Sequence, residues 1–374
     1  MTLAMPHFVT QPDLQNIIDH LQPDQVCRAS AALHIEVGEI VIAICGAAGD
    51  LHAELTRYFR HILVPARAPS ITVHVLEGQT LPNTLAWSDW SREAGKTGRK
   101  DAIFDLTDAR LVHKVRTGMT FLQSAPWNIA FGPCLENPNQ IINFINTQIL
   151  SHYIREGWVL GHAAAVTTGH KTLAIAGLSG GGKSTTMLRL MDLEAVCYVT
   201  NDRLLIENTT AQPRALGIPK LPRINPGTIL NNPRLQGILP VDRKAKLKSL
   251  SSDEIWTLED KYDVMIDDVF GEGRIQHHGP LTDFWVLNWS RHSDQSTKVS
   301  DVAIADRPDL LSAIMKSPGP FFQRQDGTFW QDRTALDPAS YLTALSGVRV
   351  QEVSGRIDFD ALYAIGADLL GLAS

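Results

Sequence analysis

A glycine-rich stretch between an apolar run and a helix-forming run constrains this chain more than any other part of its sequence. Residues 177–184, GLSGGGKS, match the Walker A pattern G-x-x-x-x-G-K-[ST] at every fixed position. The apolar run 172–176 has the length of a buried strand, and residues 185–191 carry apolar side chains at helical spacing. Strand, loop and helix in this order predict an α/β fold.

The same stretch indicates phosphate binding. Glycine adopts positive φ at little cost and has no Cβ, so backbone N–H groups can turn inward around phosphate oxygens. Lys183 supplies a positive charge for the β- and γ-phosphates, and the Ser184 hydroxyl is placed to ligate Mg²⁺. We therefore expect ATP and Mg²⁺ as cofactors. The residues expected to bind nucleotide are Gly177, Ser179, Gly180, Gly181, Gly182, Lys183, Ser184 and Thr185.

Composition narrows the class of protein and of partner. The chain has 374 residues, which predicts two domains, with 44% hydrophobic and 20% charged residues and a formal net charge of −6. This charge argues against a general nucleic-acid-binding surface. Because the sequence has neither a secretory signal nor an apolar run of membrane-spanning length, we expect a cytoplasmic protein without a membrane partner. Its cysteines, which form no C-x-x-C pair, are expected to be reduced thiols.

The predicted organisation has a mixed α/β N-terminal domain followed by a nucleotide-binding domain. Residues 1–136 form the first, with mostly antiparallel strands. Residues 137–374 form the second, and 137–156 are its connecting helix, opened by Asn137-Pro138 and ended by Gly157. Within the second domain we expect residues 158–167 to form one continuous strand.

Two polar residues stand beside predicted buried strands. Asp202 is the first acidic residue after the strand 195–200, and carboxyl ends of strands line the ligand crevice of an open α/β sheet. Phosphoryl transfer needs a carboxylate near Mg²⁺, although an Asp at this place can also cap a turn. His162 lies in the strand that precedes the nucleotide-binding strand, where it either faces the same crevice or is a hydrogen-bonded core histidine.

Three segments of the sequence together resemble a known kinase family. His162, the loop 177–184 and the segment 199–203, VTNDR, are similar to HPr kinase/phosphorylase, whose pattern reads roughly H-G-V, then G-x-S-G-x-G-K-S, then A-D-D-R. The similarity covers about residues 158–206. The length and the N-terminal half look most like the group called HPr-kinase-related kinase B. The resemblance implies a P-loop kinase core of the HPr kinase type over residues 137–374.

The resemblance also implies roles for single residues. Lys183 contacts phosphates, Ser184 and Asp202 hold Mg²⁺, and His162 has a supporting place in the catalytic centre. Asn201 departs from the pattern, because it stands where the family has the first of two aspartates, commonly regarded as the base. Either Asp202 serves both functions, or the base comes from elsewhere, or activity is reduced. Lys220 and Arg223 lie in a turn-rich segment that is either a source of phosphate contacts or an ordinary exposed loop, and Asp267-Asp268 is a minor competitor for the metal role.

The resulting expectation is an ATP-dependent kinase that phosphorylates a serine or threonine hydroxyl on a protein. A kinase of a free small-molecule hydroxyl, such as an amino acid, is the alternative among enzymes. A non-catalytic ATP-binding sensor or assembly component is the alternative outside them. The resemblance further implies association with an ATP-grasp enzyme and a small amphipathic protein. It leaves open the reverse, phosphorolytic reaction and whether the chain forms a homo-oligomer.

Overall fold

The computed structural model describes residues 12–82, 85–91, 98–177, 181–251, 254–255, 258 and 260–372. The fold is mixed α/β, as predicted. The chain forms two compact units: unit 1 consists of Met1–Glu156 and Pro318–Ala335, and unit 2 of Gly157–Ser317 and Leu336–Ser374. None of the described helices is both long and apolar enough to cross a membrane.

Unit 1 contains a mixed sheet with the strand order β1-β2-β3-β8-β7-β6-β5-β4. Strand β3 pairs parallel with β2 and β8, and the other pairings are antiparallel. The strands are β1 (Leu33–Val37), β2 (Ile40–Cys45), β3 (Ile71–Glu77), β4 (Ser88–Trp90), β5 (Asp101–Asp105), β6 (Ala109–Lys114), β7 (Thr120–Ser124) and β8 (Asn128–Gly132). The helices are α1 (Leu14–Leu21), α2 (Pro23–Arg28), α3 (Gly49–Tyr58) and α4 (Pro138–Arg155), with a 3₁₀ turn at Arg60–Ile62.

Two segments assigned to the second domain from the sequence belong to unit 1. Helix α4 is tied to the sheet of unit 1 by buried polar contacts: Gln148 Nε2 donates to Gln123 Oε1 over 2.7 Å, and Gln123 Nε2 donates to Asn128 Oδ1 over 2.9 Å. The segment Pro318–Ala335 returns to the same unit, where the Phe321 ring packs edge-on against Phe121 at 5.5 Å. The predicted boundary at 136/137 thus precedes the end of unit 1.

Unit 2 contains a second mixed sheet, with the order β12-β10-β11-β17-β14-β13-β9, extended by β19 on β17 and β18 on β19. A small separate ribbon pairs β15 with β16. The strands are β9 (Val159–Gly161), β10 (Ala164–Thr167), β11 (Thr172–Gly177), β12 (Cys197–Thr200), β13 (Leu204–Ile206), β14 (Arg214–Gly217), β15 (Arg223–Ile224), β16 (Tyr262–Asp263), β17 (His278–Leu287), β18 (Lys298–Asp301) and β19 (Arg349–Ser354).

The helices of unit 2 cover its sheet. The described ones are α5 (Lys183–Leu190), α6 (Pro226–Leu230), α7 (Val241–Lys248), α8 (Ile266–Phe270), α9 (Pro308–Ile314), α10 (Pro338–Ala344) and α11 (Phe359–Leu369), with 3₁₀ turns at Pro233–Ile238 and Ile304–Asp306. Side chains alternate across a strand, and Ala174 and Ala176 of β11 pack with Leu310 and Ile314 of α9. Helix α5 also contacts β11. Strand β11 is therefore buried, and it ends where the glycine loop begins.

Candidate functional site

The glycine loop connects β11 to α5, as expected. Leu178, Ser179 and Gly180 lie outside the described residues. Gly177 ends β11 so close to β17 that a Cβ there would lie 2.9 Å from Leu287 Cβ and 3.0 Å from the Leu287 carbonyl oxygen. Gly182 is the N-cap of α5 with φ 91°, a left-handed conformation that favours glycine. Glycine is thus required at positions 177 and 182.

Lys183 and Thr185 are held at the start of α5. The Lys183 ammonium donates a hydrogen bond of 2.8 Å to the Gly177 carbonyl oxygen, which keeps it at the mouth of the loop. Burial lowers the pKa of Lys183; the Asp202 carboxylate opposes this shift and the Lys316 charge adds to it. The Thr185 hydroxyl lies 2.8 Å from the Thr228 hydroxyl of α6. Ser184 is half-buried in the first turn of α5.

Strand directions bring three chain segments to one edge of the sheet. Strand β10 is antiparallel to both β11 and β12, so β11 and β12 run in the same direction. Their carboxyl ends, followed by the glycine loop and by Asp202, therefore lie at the edge where β10 begins. His162 lies two residues before the start of β10 at that edge. His162 and Asp202 thus lie at the same edge of the sheet as the start of the loop.

The predicted single strand over 158–167 is wrong. The structure divides it into β9 and β10, which pair with different strands: β9 with β13, and β10 with β11 and β12. The chain makes the same change between β12 and β13, across residues 201–203. There the Thr200 hydroxyl donates to the Arg203 carbonyl oxygen over 2.8 Å. Both polar candidates thus lie where the chain leaves one part of the sheet for another.

Asp202 is surrounded by positively charged or ionisable groups. His162 Nε2 lies 3.1 Å from Asp202 Oδ1, Lys316 Nζ lies 3.3 Å from Oδ2, and Arg203 Nε lies 4.0 Å from Oδ2. Desolvation favours a raised pKa for Asp202, but the His162 hydrogen bond and the charges of Lys316 and Arg203 outweigh it and hold the pKa well below its ordinary value. The carboxylate is therefore ionised at neutral pH, with 37% of its side-chain surface exposed.

Lys316 is the site residue that the sequence did not indicate. It follows α9, and its backbone N–H donates to the Leu160 carbonyl oxygen of β9 over 3.2 Å. The Tyr341 hydroxyl donates to the same Leu160 oxygen over 2.7 Å. Next to it, the His162 backbone N–H donates to the Ile314 carbonyl oxygen over 2.7 Å. The backbone that carries Lys316 is thus fixed against the segment that carries His162.

Asn201 presents a buried acceptor. Its Oδ1 atom is inaccessible to solvent and has no hydrogen-bond partner among the residues that the structure describes. A buried amide oxygen without a donor costs free energy, so its presence needs an explanation. The side chain would have to rotate before Oδ1 could accept a hydrogen bond from a ligand.

The turn-rich segment after β14 contributes one cation to this region. Burial lowers the pKa of Lys220 to about 8. The positive charge of Arg203 lowers this pKa further, whereas the negative charge of Asp202 raises it. The Tyr198 hydroxyl donates to the Lys220 carbonyl oxygen over 2.5 Å, which fixes the backbone at this point. Arg223, the other candidate in this segment, pairs with Asp263 over 2.9 Å. Lys220 therefore belongs with the site, whereas Arg223 has its own carboxylate.

The described residues fit Mg²⁺ only in company with phosphate. No group of three or more His, Cys, Asp or Glu side chains among them is arranged to hold a metal ion. Mg²⁺ is commonly bound through one or two carboxylates together with substrate phosphates, so a single Asp202 with the Ser184 hydroxyl is a suitable donor set. The competing pair, Asp267 and Asp268, lies in the first turn of the short helix α8.

No protein-family model and no curated protein matches the chain. Among solved structures, the HPr(Ser) kinase/phosphatase from Coxiella burnetii is similar to it with a TM-score of 0.29 and 8% sequence identity. The match covers 56% of this chain and 89% of that one. A TM-score of this size does not establish a common fold.

Proposed function

We propose that unit 2 binds ATP with Mg²⁺ and transfers the γ-phosphoryl group to a serine or threonine hydroxyl on a protein. One observation carries the proposal: an ionised Asp202, held between His162 and Lys316, lies at the sheet edge where the glycine loop begins. Phosphoryl transfer depends mainly on positioning and on stabilising charge, and this edge combines a phosphate-binding motif, a carboxylate and several cations.

The binding roles fall to the loop and to Asp202. Lys183 contacts the phosphates, together with the N–H groups of the loop. Ser184 and Asp202 would hold Mg²⁺, which when bound neutralises charge on the phosphate oxygens. Each carboxylate oxygen has two lone pairs, so the contacts of Asp202 with His162 and Lys316 leave acceptor capacity for a metal ion.

The catalytic roles fall to Lys316, His162 and Asn201. Lys316 supplies positive charge beside the transferring group, and His162 fixes the orientation of Asp202. Asn201, next to Asp202 in the chain, would orient the attacking hydroxyl once its side chain turns toward the crevice, since Oδ1 is buried in this structure. An amide cannot take the proton at neutral pH, so Asp202 is the only carboxylate of these residues that can.

A nucleotide sensor is the second candidate, and Asn201 is the observation that favours it. Without a second carboxylate, the site can hold ATP and turn it over slowly. A small-molecule acceptor is the alternative within enzymes, because nothing in the donor set requires the hydroxyl to be on a protein. The ATP-grasp enzyme and the small amphipathic protein stay predictions from the resemblance.

Labelled ATP distinguishes these functions. The protein is incubated with γ-labelled ATP and lysate from its own source, with Lys183→Ala as a matched control, and the label is located by electrophoresis and chromatography. Label on a protein supports the proposal, and label on a metabolite supports the small-molecule kinase. Tight nucleotide binding without label transfer supports the sensor. Equal ATP affinity for a folded Lys183→Ala variant, measured by calorimetry, would exclude the loop as the nucleotide site.

A further inference from the structure

A tryptophan outside the glycine motif holds the loop by its backbone. Trp289 follows β17, the parallel neighbour of β11, and its indole N–H donates to the Gly181 carbonyl oxygen over 2.9 Å. The residues on either side fix its backbone: the Asn288 N–H donates to Val353 O over 2.8 Å, and the Ser290 N–H donates to Gly355 O over 2.9 Å. The indole therefore approaches the loop from a rigid position.

A second ring confines the next glycine. Phe359, the first residue of α11, packs edge-on against Trp289 with ring centroids 5.2 Å apart. A Cβ on Gly182 would lie 2.9 Å from Phe359 Cε1 and 3.4 Å from Trp289 Cζ2. Gly182 therefore has the aromatic pair on one side, and no larger residue fits there without displacing a ring.

The start of α11 is itself attached to α5. Arg189 of α5 pairs with Asp360 over 2.9 Å, and its guanidinium lies 4.6 Å from the centroid of the Tyr363 ring. Phe359 adjoins Asp360 in the same helix, so these contacts hold the ring beside the loop. The loop and the helix it opens are fixed to α11 at two separate places.

The hydrogen bond from Trp289 also fixes the direction of the Gly182 N–H, because both groups belong to the Gly181–Gly182 peptide. The described peptide bonds include none in the cis form. In a planar trans peptide the C=O and the N–H that follows it point in opposite directions. Because the Gly181 carbonyl points at Trp289, the Gly182 N–H must point away from the aromatic pair.

We propose that Trp289 is a positioning residue for nucleotide binding: by fixing the Gly181–Gly182 peptide, it directs the Gly182 N–H toward the bound phosphates. The inference rests on the proposed function, since it requires a phosphate ligand in the loop. Without the indole donor this peptide is free to rotate, and the phosphates lose a preorganised N–H group. Trp289 itself touches the loop, and its effect on ATP is transmitted through the peptide.

The test is a comparison of two tryptophan variants of the full-length protein. Trp289→Phe keeps an aromatic ring beside Phe359 and removes the donor together with part of the indole ring system. Trp285→Phe is the matched control, because it removes a buried indole donor that bonds Gln351 Oε1 over 3.0 Å within the same unit. ATP affinity is measured by calorimetry with Mg²⁺ present, and Tm is measured without nucleotide.

We expect Trp289→Phe to raise the Kd for ATP about tenfold, since a hydrogen bond to a charged group is weakened, with a small change in Tm. Trp285→Phe should lower Tm and leave the Kd unchanged. Equal Kd values for wild type and Trp289→Phe would overturn the positioning role while leaving the proposed function intact. Lowered Tm with unchanged affinity would assign Trp289 a purely structural role. Failure of the wild type to bind ATP would overturn both proposals.

Discussion

At the scale of single residues, the site is organised by the charge around Asp202. Its carboxylate offsets the charges of Lys316 and Arg203, and these same groups keep it ionised. Replacing Asp202 by Asn removes the negative charge but keeps the shape. It thus separates the chemical role of this residue from its packing.

Under the proposed function, Asp202→Asn is expected to lower phosphoryl transfer about a thousandfold, because it removes the charge that would position the metal ion and the phosphates. ATP binding should persist, since the loop and Lys183 would supply most phosphate contacts. Asn201→Asp, the matched variant at the neighbouring position, should leave turnover similar or raise it. Transfer is measured with labelled ATP, and affinity by calorimetry. Full transfer by Asp202→Asn would make Asp267 and Asp268 the next residues to replace.

Lys220 is expected to make stability rise with pH. Its folded-state pKa of about 8 lies below the ordinary value of 10.5, so between these pH values the unfolded chain binds more protons than the folded one. The free energy of unfolding therefore increases from pH 8 to 10.5. Below pH 8 the buried charge costs stability, by about 1–3 kcal/mol.

Lys220→Met removes that cost and should be more stable than wild type at pH 7, with the difference vanishing by about pH 10.5. Urea denaturation across this range measures it. Lys248→Met, at an exposed position of α7, should follow the wild-type profile. Profiles for wild type and Lys220→Met that run parallel would show that Lys220 is not buried in its charged form.

The sequence indicated these site residues to different extents. Lys183 and Ser184 belong to a continuous motif, and Asp202 follows a recognisable buried strand, so local pattern located them. No local pattern distinguishes Lys316 from the other lysines. It lies in the site because the backbone after α9 is hydrogen-bonded to β9. The unpartnered Asn201 acceptor is a property of burial, which sequence alone does not report.

At the scale of elements, the sequence did not indicate that residues 158–167 form two strands. Residues 158–167 are almost entirely apolar, which is typical of one buried strand, yet β9 and β10 pair in different parts of the sheet. Only long-range pairing distinguishes one strand from two here, and no local residue marks the change. Helix α4 begins and ends within one residue of the predicted 137–156, because Pro138 at its start is a local signal.

Gly366→Ala is expected to destabilise the protein by about 1–2 kcal/mol although alanine favours helices. In α11 the new Cβ would lie near Leu190 Cδ2 of α5 and 3.3 Å from Trp285 Cη2, so the Leu190 side chain must repack or the two helices must separate. Gly237→Ala, with nothing within 4 Å of its new Cβ, is the matched control and should be neutral or stabilising. Chemical denaturation of both variants measures the difference. Equal stabilities would mean that α5 and α11 can move apart without cost.

At the scale of the whole molecule, the chain leaves unit 1 and later returns to it. Pro318–Ala335 completes the surroundings of Arg110, whose buried guanidinium donates to Pro320 O over 3.0 Å and to Trp330 O over 2.8 Å. Arg110 also pairs with Asp105. The sequence did not indicate this return, because the signal for it is complementarity between distant segments.

A fragment of residues 1–156 is expected to lack a cooperative unfolding transition, since it leaves the Arg110 charge with fewer partners and the Phe121 ring uncovered. Joining residues 318–335 to it through a Gly/Ser linker should restore the transition. Circular dichroism with thermal unfolding compares the two, and a scrambled 318–335 segment is the control. A cooperative transition for 1–156 alone would show that the returning segment is dispensable.

The returning segment also sets an order of events during synthesis. A ribosome delivers residues 1–156 first, but the piece that closes unit 1 emerges only after Gly157–Ser317. At ordinary rates of translation this interval lasts roughly ten to thirty seconds. During it we expect the surface that residues 318–335 cover, including the Phe121 ring, to stay exposed. Residues 1–156 are synthesised first, yet unit 1 is completed only when residues 318–335 follow, after most of unit 2 has been made.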